Sequence, residues 1–273
     1  MPNQPRPVLL VRSSGNETDA AALAAAGIPS IADSYIRVAT RTDAAGAEAA
    51  NALLAKLGET DWVIATSSNG LRAWGELVGE AVLSAEFAKA AGRGTRFAAI
   101  GETTRSTYAE FGIHEVLTAS KAYAEVLATE VIAAAEDASD TQAQSAKPLA
   151  AKPLTATIPL GSIALPTLSR TLAEAGWTVN AEALYETTGV SEPPVSLPKL
   201  LTGEISLVVL RSPSAANAVA KWASNPREIG VVCSGGTTAA AATAAGLKVL
   251  AVCDDPSAQT LARIVSETME GTN

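Results

Sequence analysis

The chain has 273 residues, a net charge of -8 at pH 7, one histidine and two cysteines. This inventory does not indicate a disulfide framework, and it argues against metal-dependent hydrolysis and against Ser-His-Asp or Cys-His catalysis. The negative charge argues against general nucleic-acid binding. The length corresponds to about two domains. No apolar run approaches the roughly 18 residues of a membrane span or forms the apolar core of a signal peptide, so we expect a cytoplasmic protein without a membrane partner.

Short apolar runs alternate with helical patterns along the whole chain. The predicted strands are residues 8–11, 62–65, 97–100, 116–118, 157–160, 207–210, 230–233 and 249–252. The predicted helices are residues 17–26, 71–77, 103–111, 122–135, 167–175, 215–222 and 237–245. Strands that are apolar on both faces and alternate with helices are typical of parallel sheets covered by helices. The pattern predicts an α/β fold, with helix-ending glycines at positions 27, 112, 176 and 246.

One segment interrupts this alternation. Residues 136–155, with the sequence EDASDTQAQSAKPLAAKPLT, are polar, contain Ala, Ser and Pro, and show no periodicity. Such a composition is typical of a flexible surface connection, and we predict a flexible insertion here.

The chain also contains an internal repeat. The sequence IGETTRSTYAEFGI, which begins at Ile100, matches SGGTTAAAATAAGL, which begins at Ser234. Each carries a Gly-x-Thr-Thr turn that opens a helix. Counted from the first glycine of that turn, Tyr123 and Ser257 both follow 22 residues later, and each precedes a further helical pattern.

Two more landmarks repeat in the same order. TSSNG, at residues 66–70, corresponds to RSPSA, at residues 211–215. LAAAGIPSIADSY and LAEAGWTVNAEALY also correspond, and they end on Tyr35 and Tyr185. Four landmarks that recur in one order predict a tandem duplication.

The repeated turns indicate an anion-binding site. Each lies where a predicted strand ends and a helix begins, and in a parallel sheet such turns gather at the carboxyl edge, where open α/β folds bind ligands. The free N–H groups of a helix start attract anions by about 0.3–1 kcal/mol, and by up to roughly 2 kcal/mol when partly buried. Small hydroxyl residues are also good helix N-caps, so each turn taken alone has a purely structural explanation. Their duplication favours binding of a polyanion.

Six short motifs follow one another in a fixed order. They are TSSNG at 66–70, AIGETT at 99–104, YAEVL at 123–127, a strand–Gly–helix unit from 161 to 185, SPSA at 212–215 and GGTT at 235–238. In this order and spacing they resemble the uroporphyrinogen-III synthase family. The resemblance covers essentially the whole chain apart from the polar insertion, although no single motif is specific.

The resemblance implies an α/β fold of two flavodoxin-like lobes with parallel sheets, joined by two extended connectors and with a cleft between them. One lobe would combine residues 1–36 with 187–273, and the other would be residues 37–186, with the flexible insertion 136–155 inside it. The connectors would be residues 34–40 and 184–188, which contain Tyr35 and Tyr185.

The resemblance also implies the family's reaction, which uses neither a cofactor nor a metal. Linear hydroxymethylbilane, a flexible polycarboxylate, closes to uroporphyrinogen III with loss of water and inversion of the last pyrrole ring, ring D. Tyr185 matches the family's tyrosine and is the expected general acid. The expected substrate contacts are Arg12, Ser67, Ser68, Asn69, Thr103, Thr104, Ser212, Ser214, Gly236, Thr237 and Thr238. Because the chain is acidic and the substrate anionic, we expect acidic residues to avoid the rim of the cleft.

We expect a monomer, with transient contact with hydroxymethylbilane synthase as the supplier of substrate. Two alternatives remain open. The chain departs from the family pattern at Ser13, Leu160 and Tyr123, which leaves room for a non-catalytic two-lobe binding or regulatory module. A domain of the sugar-phosphate isomerase type would also use loops rich in Ser and Thr, but the Glu and His acid–base set expected there is missing.

Overall fold

The computed structural model describes residues 6–143 and 152–271 and divides the chain into two compact units. Unit 1 consists of Met1–Val38 and Thr187–Asn273, and unit 2 consists of Ala39–Glu186. The chain therefore enters unit 2 once and returns to unit 1 once.

The strands, in chain order, are β1 (Val8–Leu10), β2 (Ser30–Ala32), β3 (Ile36–Thr40), β4 (Trp62–Ala65), β5 (Arg96–Ala99), β6 (Leu117–Thr118), β7 (Thr155–Gly161), β8 (Thr178–Gly189), β9 (Leu207–Leu210), β10 (Gly230–Cys233) and β11 (Lys248–Val252). The helices are α1 (Glu17–Ala25), α2 (Ala44–Lys56), α3 (Ser68–Val78), α4 (Glu80–Gly92), α5 (Glu102–Glu110), α6 (Ala124–Ala143), α7 (Thr167–Glu174), α8 (Leu197–Leu201), α9 (Pro213–Trp222), α10 (Gly236–Ala244) and α11 (Ala258–Glu270).

Unit 1 is built on a five-stranded parallel sheet in the order β2-β1-β9-β10-β11. The two faces of the sheet carry separate apolar clusters. Val208 of β9 packs with residues of α9 and α10 on one face, and Val209 packs with residues of α1 and α11 on the other. The central strands are therefore buried on both sides, which explains their uninterrupted apolar runs.

Unit 2 is built on a six-stranded sheet in the order β3-β8-β7-β4-β5-β6, in which the pairs from β8 to β6 are parallel. One face carries most of the chain's scarce aromatic residues. Phe87 lies 5.4–6.1 Å, centroid to centroid, from the rings of four neighbours, which are Trp74, Phe97, Tyr108 and Phe111. Clusters of tilted and edge-to-face rings such as this one add to the energy of apolar burial.

Both units have the strand order of a flavodoxin-like sheet, 2-1-3-4-5. In unit 1 the strands in that order are β2-β1-β9-β10-β11, and in unit 2 they are β8-β7-β4-β5-β6. In unit 1 the strand pair β1 and β2 comes from the start of the chain, and the triplet β9 to β11 comes from its end. In unit 2 the triplet β4 to β6 comes first in the chain and the pair β7 and β8 follows it. This arrangement explains why the units do not coincide with the halves of the sequence, and the predicted α/β fold is confirmed.

The chain passes between the units within β3 and within β8, which are neighbours in the sheet. The amide of Arg41 donates a hydrogen bond to the carbonyl of Leu184, 2.9 Å away. The amide of Val190 donates to the carbonyl of Tyr35, 3.1 Å away. The residue numbers run in opposite directions across these two bonds, so the two connecting strands are antiparallel.

The predicted elements agree with the observed ones at most positions, and the four helix-ending glycines have left-handed φ angles of +73° to +85°. Strands β2, β3 and β8 and helices α2, α4 and α8 are additional. The expected flexible segment 136–155 differs in part, because α6 continues through Ala143 and β7 begins at Thr155. Residues 136–143 include Glu, Gln and two Ala, which favour helix, and they extend a helix that has already formed, which costs less than starting one. Within that segment, residues 144–151 lie outside the described residues. Among the described helices, none is long and apolar enough to cross a membrane.

Candidate functional site

The carboxyl edge of each parallel sheet contains a topological switch point, where the connections to neighbouring strands run in opposite directions. In unit 1 this point lies between β1 and β9, and in unit 2 it lies between β7 and β4. Open α/β sheets bind ligands at such points. The chain segments that follow these four strands are therefore the first place to look for function.

Arg12 lies just after β1, at the switch point of unit 1. Its carbonyl accepts hydrogen bonds from the Asn16 side chain, at 2.9 Å, and from the Ser34 hydroxyl, at 2.8 Å. Its guanidinium donates to the carbonyl of Gly15, at 3.0 Å. Burial lowers the pKa of Arg12, and the nearby carboxylate of Asp19 opposes this shift. An arginine remains protonated in proteins, so Arg12 supplies a fixed, partly buried cation.

Arg211, which sequence reasoning did not single out, directly follows β9 and lies close to Arg12. It donates to both carboxylate oxygens of Asp19, and its Nη1 also donates to the carbonyl of Pro256. The side chains of Arg211 and Asp19 are only 12% and 3% exposed. The charge of Arg211 is thus matched within the protein. No signal in the sequence links Asp19, in helix α1, to the end of β9.

Ser212 and Ser214 begin helix α9. The Ser212 hydroxyl accepts from the amide of Ala215, at 3.3 Å, and lies 2.9 Å from the Ser214 hydroxyl. Ser212 therefore serves as the N-cap of α9, a role that hydroxyl residues often have at helix starts without binding a ligand.

Helix α10 begins differently, because its N-cap residue is Gly235 and no side-chain hydrogen bond caps its first turn. Gly236 and Thr237 are exposed there, whereas Thr238 is buried. The first N–H groups of α10 have no side-chain cap and are oriented as in an anion-binding helix start. Gly236 and Thr237 are the predicted contacts best placed to use them.

The switch point of unit 2 contains Ser67, Ser68 and Asn69. The Ser67 hydroxyl accepts from the Asn69 amide at 3.2 Å and caps α3. A Cβ atom at Gly70 would lie 2.6 Å from the carbonyl oxygen of Pro159, so the first turn of α3 rests directly on β7. The glycine of the TSSNG motif is needed for this close approach.

Helix α5, after β5, has Gly101 as its N-cap residue and also lacks a side-chain cap. Thr103 is exposed, but Thr104 is 4% exposed and its amide donates to the carbonyl of Gly101 at 3.1 Å. Thr104 therefore stabilises the turn, and Thr103 is the member of the pair that a ligand can reach. The same division holds for Thr237 and Thr238 in the second copy of the motif.

Tyr185 lies on β8 beside the end of β7. Its ring packs against Gly161, where an added Cβ atom would lie 2.6 Å from the ring carbon Cζ. The ring is partly buried against the core cluster that contains Leu184. The switch point of unit 2 lies between β7 and β4, and Tyr185 lies on β8, the strand on the other side of β7. It belongs to the same unit as Ser67 and Thr103.

Carboxylates do occur near both edges, and two of them have partners at the helix starts. Glu102, in the first turn of α5, pairs with Arg105 at 2.8 Å. Asp255, after β11, accepts from the hydroxyl of Thr260 and the amide of Ser257, both at 2.7 Å, and these bonds lower its pKa. Both carboxylates are therefore engaged with groups of their own helix starts.

A separate surface cavity of about 640 Å³ lies at the opposite, amino-terminal ends of β4 and β5. It is lined by Trp62, Arg96 and His114, among others. Arg96 stacks on Trp62, 4.4 Å from the ring centroid, and donates to the carbonyl of Ala134 at 2.7 Å. Its cation is therefore used in packing, and none of the predicted site residues lines this cavity.

The predicted residues thus form two groups, one at the carboxyl edge of each sheet. Unit 1 contains Arg12, Ser212, Ser214, Gly236, Thr237 and Thr238, and unit 2 contains Ser67, Ser68, Asn69, Thr103, Thr104 and Tyr185. Within the described residues, no group of three or more His, Cys, Asp or Glu side chains could hold a metal ion. Together these predicted residues offer cationic, amide and hydroxyl donors and the phenol of Tyr185.

These features define an α/β protein of paired flavodoxin-like units. The chain belongs to the uroporphyrinogen-III synthase family, because the family model described as uroporphyrinogen-III synthase HemD matches residues 17–263. No curated protein sequence matches the chain significantly.

Solved structures of low sequence identity share the fold. A mutant uroporphyrinogen III synthase from the extremely thermophilic bacterium Thermus thermophilus has a TM-score of 0.56 at 16% identity, over 97% of this chain and 99% of that one. The uroporphyrinogen-III synthetase of Helicobacter pylori has a TM-score of 0.59 at 13% identity, over 96% and 99% of the two chains. The family resemblance expected from the order of motifs is confirmed.

Proposed function

We propose that this protein cyclises hydroxymethylbilane to uroporphyrinogen III, with loss of water and inversion of ring D. It acts as a hydro-lyase of tetrapyrrole biosynthesis. The observation that carries the proposal is the family match, which extends over residues 17–263. The placement of Tyr185 beside a switch point supports it, because the reaction needs a proton donor at the departing hydroxyl.

Tyr185 is the proposed general acid. A phenol keeps its proton at neutral pH and can donate it to a leaving group. The C–O bond of the substrate's hydroxymethyl group then breaks, the hydroxyl leaves as water, and the pyrrole nitrogen supplies the electron pair that forms the azafulvene. The substituted carbon of ring D attacks the azafulvene methylene and gives the spiro intermediate. The older bond between that ring D carbon and the methylene of ring C then breaks, which leaves a second azafulvene on ring C. The free α-carbon of ring D attacks this methylene, and the macrocycle closes with ring D inverted. The proton that is lost when the last pyrrole regains aromaticity restores the tyrosine hydroxyl.

The helix starts are the proposed carboxylate sites. The first turns of α5 and α10 have no side-chain cap, and Thr103 and Thr237 are exposed there. Each such helix end favours an anion by about 0.3–1 kcal/mol. Arg12 adds a fixed cation in unit 1. Several weak contacts of this kind suit a polycarboxylate that must be held in one conformation rather than bound very tightly.

Positioning is then the main catalytic effect. Hydroxymethylbilane closes without help to the uninverted type I isomer, so an acid alone does not explain the type III product. Holding reacting groups in a productive geometry accounts for a large part of many enzymatic rate enhancements. We further propose that the enzyme acts in the cytoplasm as a monomer and without a cofactor. It would receive its substrate by transient contact with hydroxymethylbilane synthase.

The test is an isomer assay. Porphobilinogen and a hydroxymethylbilane synthase would generate the substrate in the presence of this protein, and the oxidised products would be separated by chromatography. We expect predominantly the type III isomer. If only type I formed while circular dichroism showed folded protein, the enzyme proposal would be wrong, and a non-catalytic binding module would take its place.

A further inference from the structure

The ring of Tyr185 occupies the space that a side chain at position 161 would need. A Cβ atom at Gly161 would lie 2.6 Å from Cζ, 2.7 Å from Cε2 and 2.9 Å from the hydroxyl oxygen of Tyr185. Real Cβ atoms essentially never approach another heavy atom more closely than 3.0 Å. The backbone of Gly161 is not in the left-handed region, so any residue could adopt its conformation. A side chain at this position would force the Tyr185 ring to move, so glycine here provides space for the ring and not backbone freedom.

An irregularity in the pairing of β7 with β8 directs the ring to this place. Leu160 is paired with Ala183, but Gly161 is paired with Tyr185, so Leu184 is an extra residue on β8. A bulge of this type re-aims the side chains around it. As a result Leu184 is fully buried in the core, and the next residue, Tyr185, packs against the same cluster instead of on the opposite face.

Arg41 fixes the strand on both sides of the tyrosine. Its amide donates to the carbonyl of Leu184 at 2.9 Å, and its Nη1 donates to the carbonyl of Ala183 at 3.0 Å. Its Nε lies 3.8 Å from the carboxylate of Glu186. One residue just past the end of β3 thus contacts the two residues before Tyr185 and the one after it.

We propose that Gly161 and Arg41 are positioning residues for the hydroxyl of Tyr185. The inference depends on the proposed function, in which that hydroxyl protonates the leaving group. Gly161 leaves the space into which the ring fits, and Arg41 holds the bulged strand in register. A displacement of about 1 Å in a catalytic group can cost about 100-fold in rate, so both residues act on turnover without touching the reacting atoms.

The first experiment replaces Gly161 with alanine. Gly161→Ala is expected to lower kcat by about 100-fold with KM little changed, because the ring must move away from its place. The matched control is Gly92→Ala, since a Cβ atom there meets nothing within 4 Å and the position lies in α4. An unchanged kcat in Gly161→Ala would overturn the proposal for this residue.

A double-mutant cycle tests the geometry without any assay of turnover. Gly161→Ala should lower the denaturant midpoint in the presence of the Tyr185 ring, and it should lower it much less in a Tyr185→Ala background, where the space is free. Additive effects on the midpoint would overturn the steric relationship. This cycle keeps its meaning even if the isomer assay contradicts the proposed function.

Arg41 is tested by Arg41→Met, which keeps much of the length of the side chain but removes its donors. Positioning predicts a fall in kcat that nearly disappears in a Tyr185→Phe background, because the hydroxyl that Arg41 serves is then absent. A rise in KM with kcat unchanged would instead assign Arg41 to substrate binding and overturn its positioning role.

Discussion

Arg211 and Asp19 form a two-point ion pair that is almost entirely buried. The Nε of Arg211 donates to one carboxylate oxygen of Asp19 at 2.9 Å, and its Nη2 donates to the other. The pair connects the end of β9 to helix α1, across the switch point of unit 1. It therefore fixes the relative positions of the segments that contain Arg12 and Ser212.

Asp19→Asn should destabilise the protein by about 3 kcal/mol, because it leaves the buried guanidinium of Arg211 without its counter-charge. Denaturant unfolding measures this change. Glu17→Gln is the control, since Glu17 is exposed in the first turn of the same helix and should contribute less than about 1 kcal/mol. Equal losses in the two variants would mean that the pair has no special role in stability.

Tyr185→Phe should lower kcat by at least about 100-fold in the isomer assay, the lower end of the range for a general acid, while KM changes little. The ring still fits beside Gly161, so the denaturant midpoint should stay close to that of the wild type. Unchanged turnover would assign the tyrosine to strand packing and require another proton donor.

Much of the fold could be predicted from the sequence, because buried parallel strands such as β4 and β9 are apolar on both faces. Strand β8 could not be found in this way, since nearly all of its residues are partly or fully exposed and only Leu184 is buried. Helix α4 has its buried residues Leu83, Phe87 and Ala90 at helical spacing, a signal that the sequence does contain.

The sequence predicted where the candidate site lies but not which of its residues a ligand can reach. Repeated motifs located the helix starts at the carboxyl edges, but they did not separate exposed Thr103 from buried Thr104. The roles of Gly161 and Arg41 depend on pairing between strands that are far apart in sequence. Arg41 is separated from Ala183 by 142 residues, and no local pattern specifies such a contact.

Comparing Ser67→Ala with Ser257→Ala separates loss of a helix cap from loss of a substrate contact. Each hydroxyl caps a helix, Ser67 at the start of α3 and Ser257 at the start of α11. Both variants should lose about 1 kcal/mol of unfolding free energy. Ser67 is a proposed substrate contact and Ser257 is not, so KM should rise in Ser67→Ala alone. An equal rise in both variants would show that cap loss, rather than lost contact with the substrate, affects binding.

The stability of the protein should fall in alkaline solution through Cys233. Burial raises the pKa of the Cys233 thiol from 9.0 to about 11, and neighbouring Cys253 acts in the same direction. The two cysteines belong to apolar clusters on opposite faces of the unit 1 sheet, so each thiol is surrounded by its own core. Because the folded-state pKa is the higher one, the folded protein keeps this proton after the unfolded chain has released it.

The contribution of that proton to stability is therefore complete below about pH 9 and is lost progressively as the pH rises towards 11. Cys233→Ala lacks the titrating group, so the difference in unfolding free energy between wild type and variant should shrink from about pH 8 to about pH 11. Denaturant unfolding at several pH values across that range measures this difference. Cys253→Ala still contains Cys233, so its unfolding free energy should fall between about pH 8 and about pH 11 almost as much as that of the wild type. Parallel curves for wild type and Cys233→Ala would show that the thiol titrates alike in the folded and unfolded chains, and the alkaline loss would then have another source.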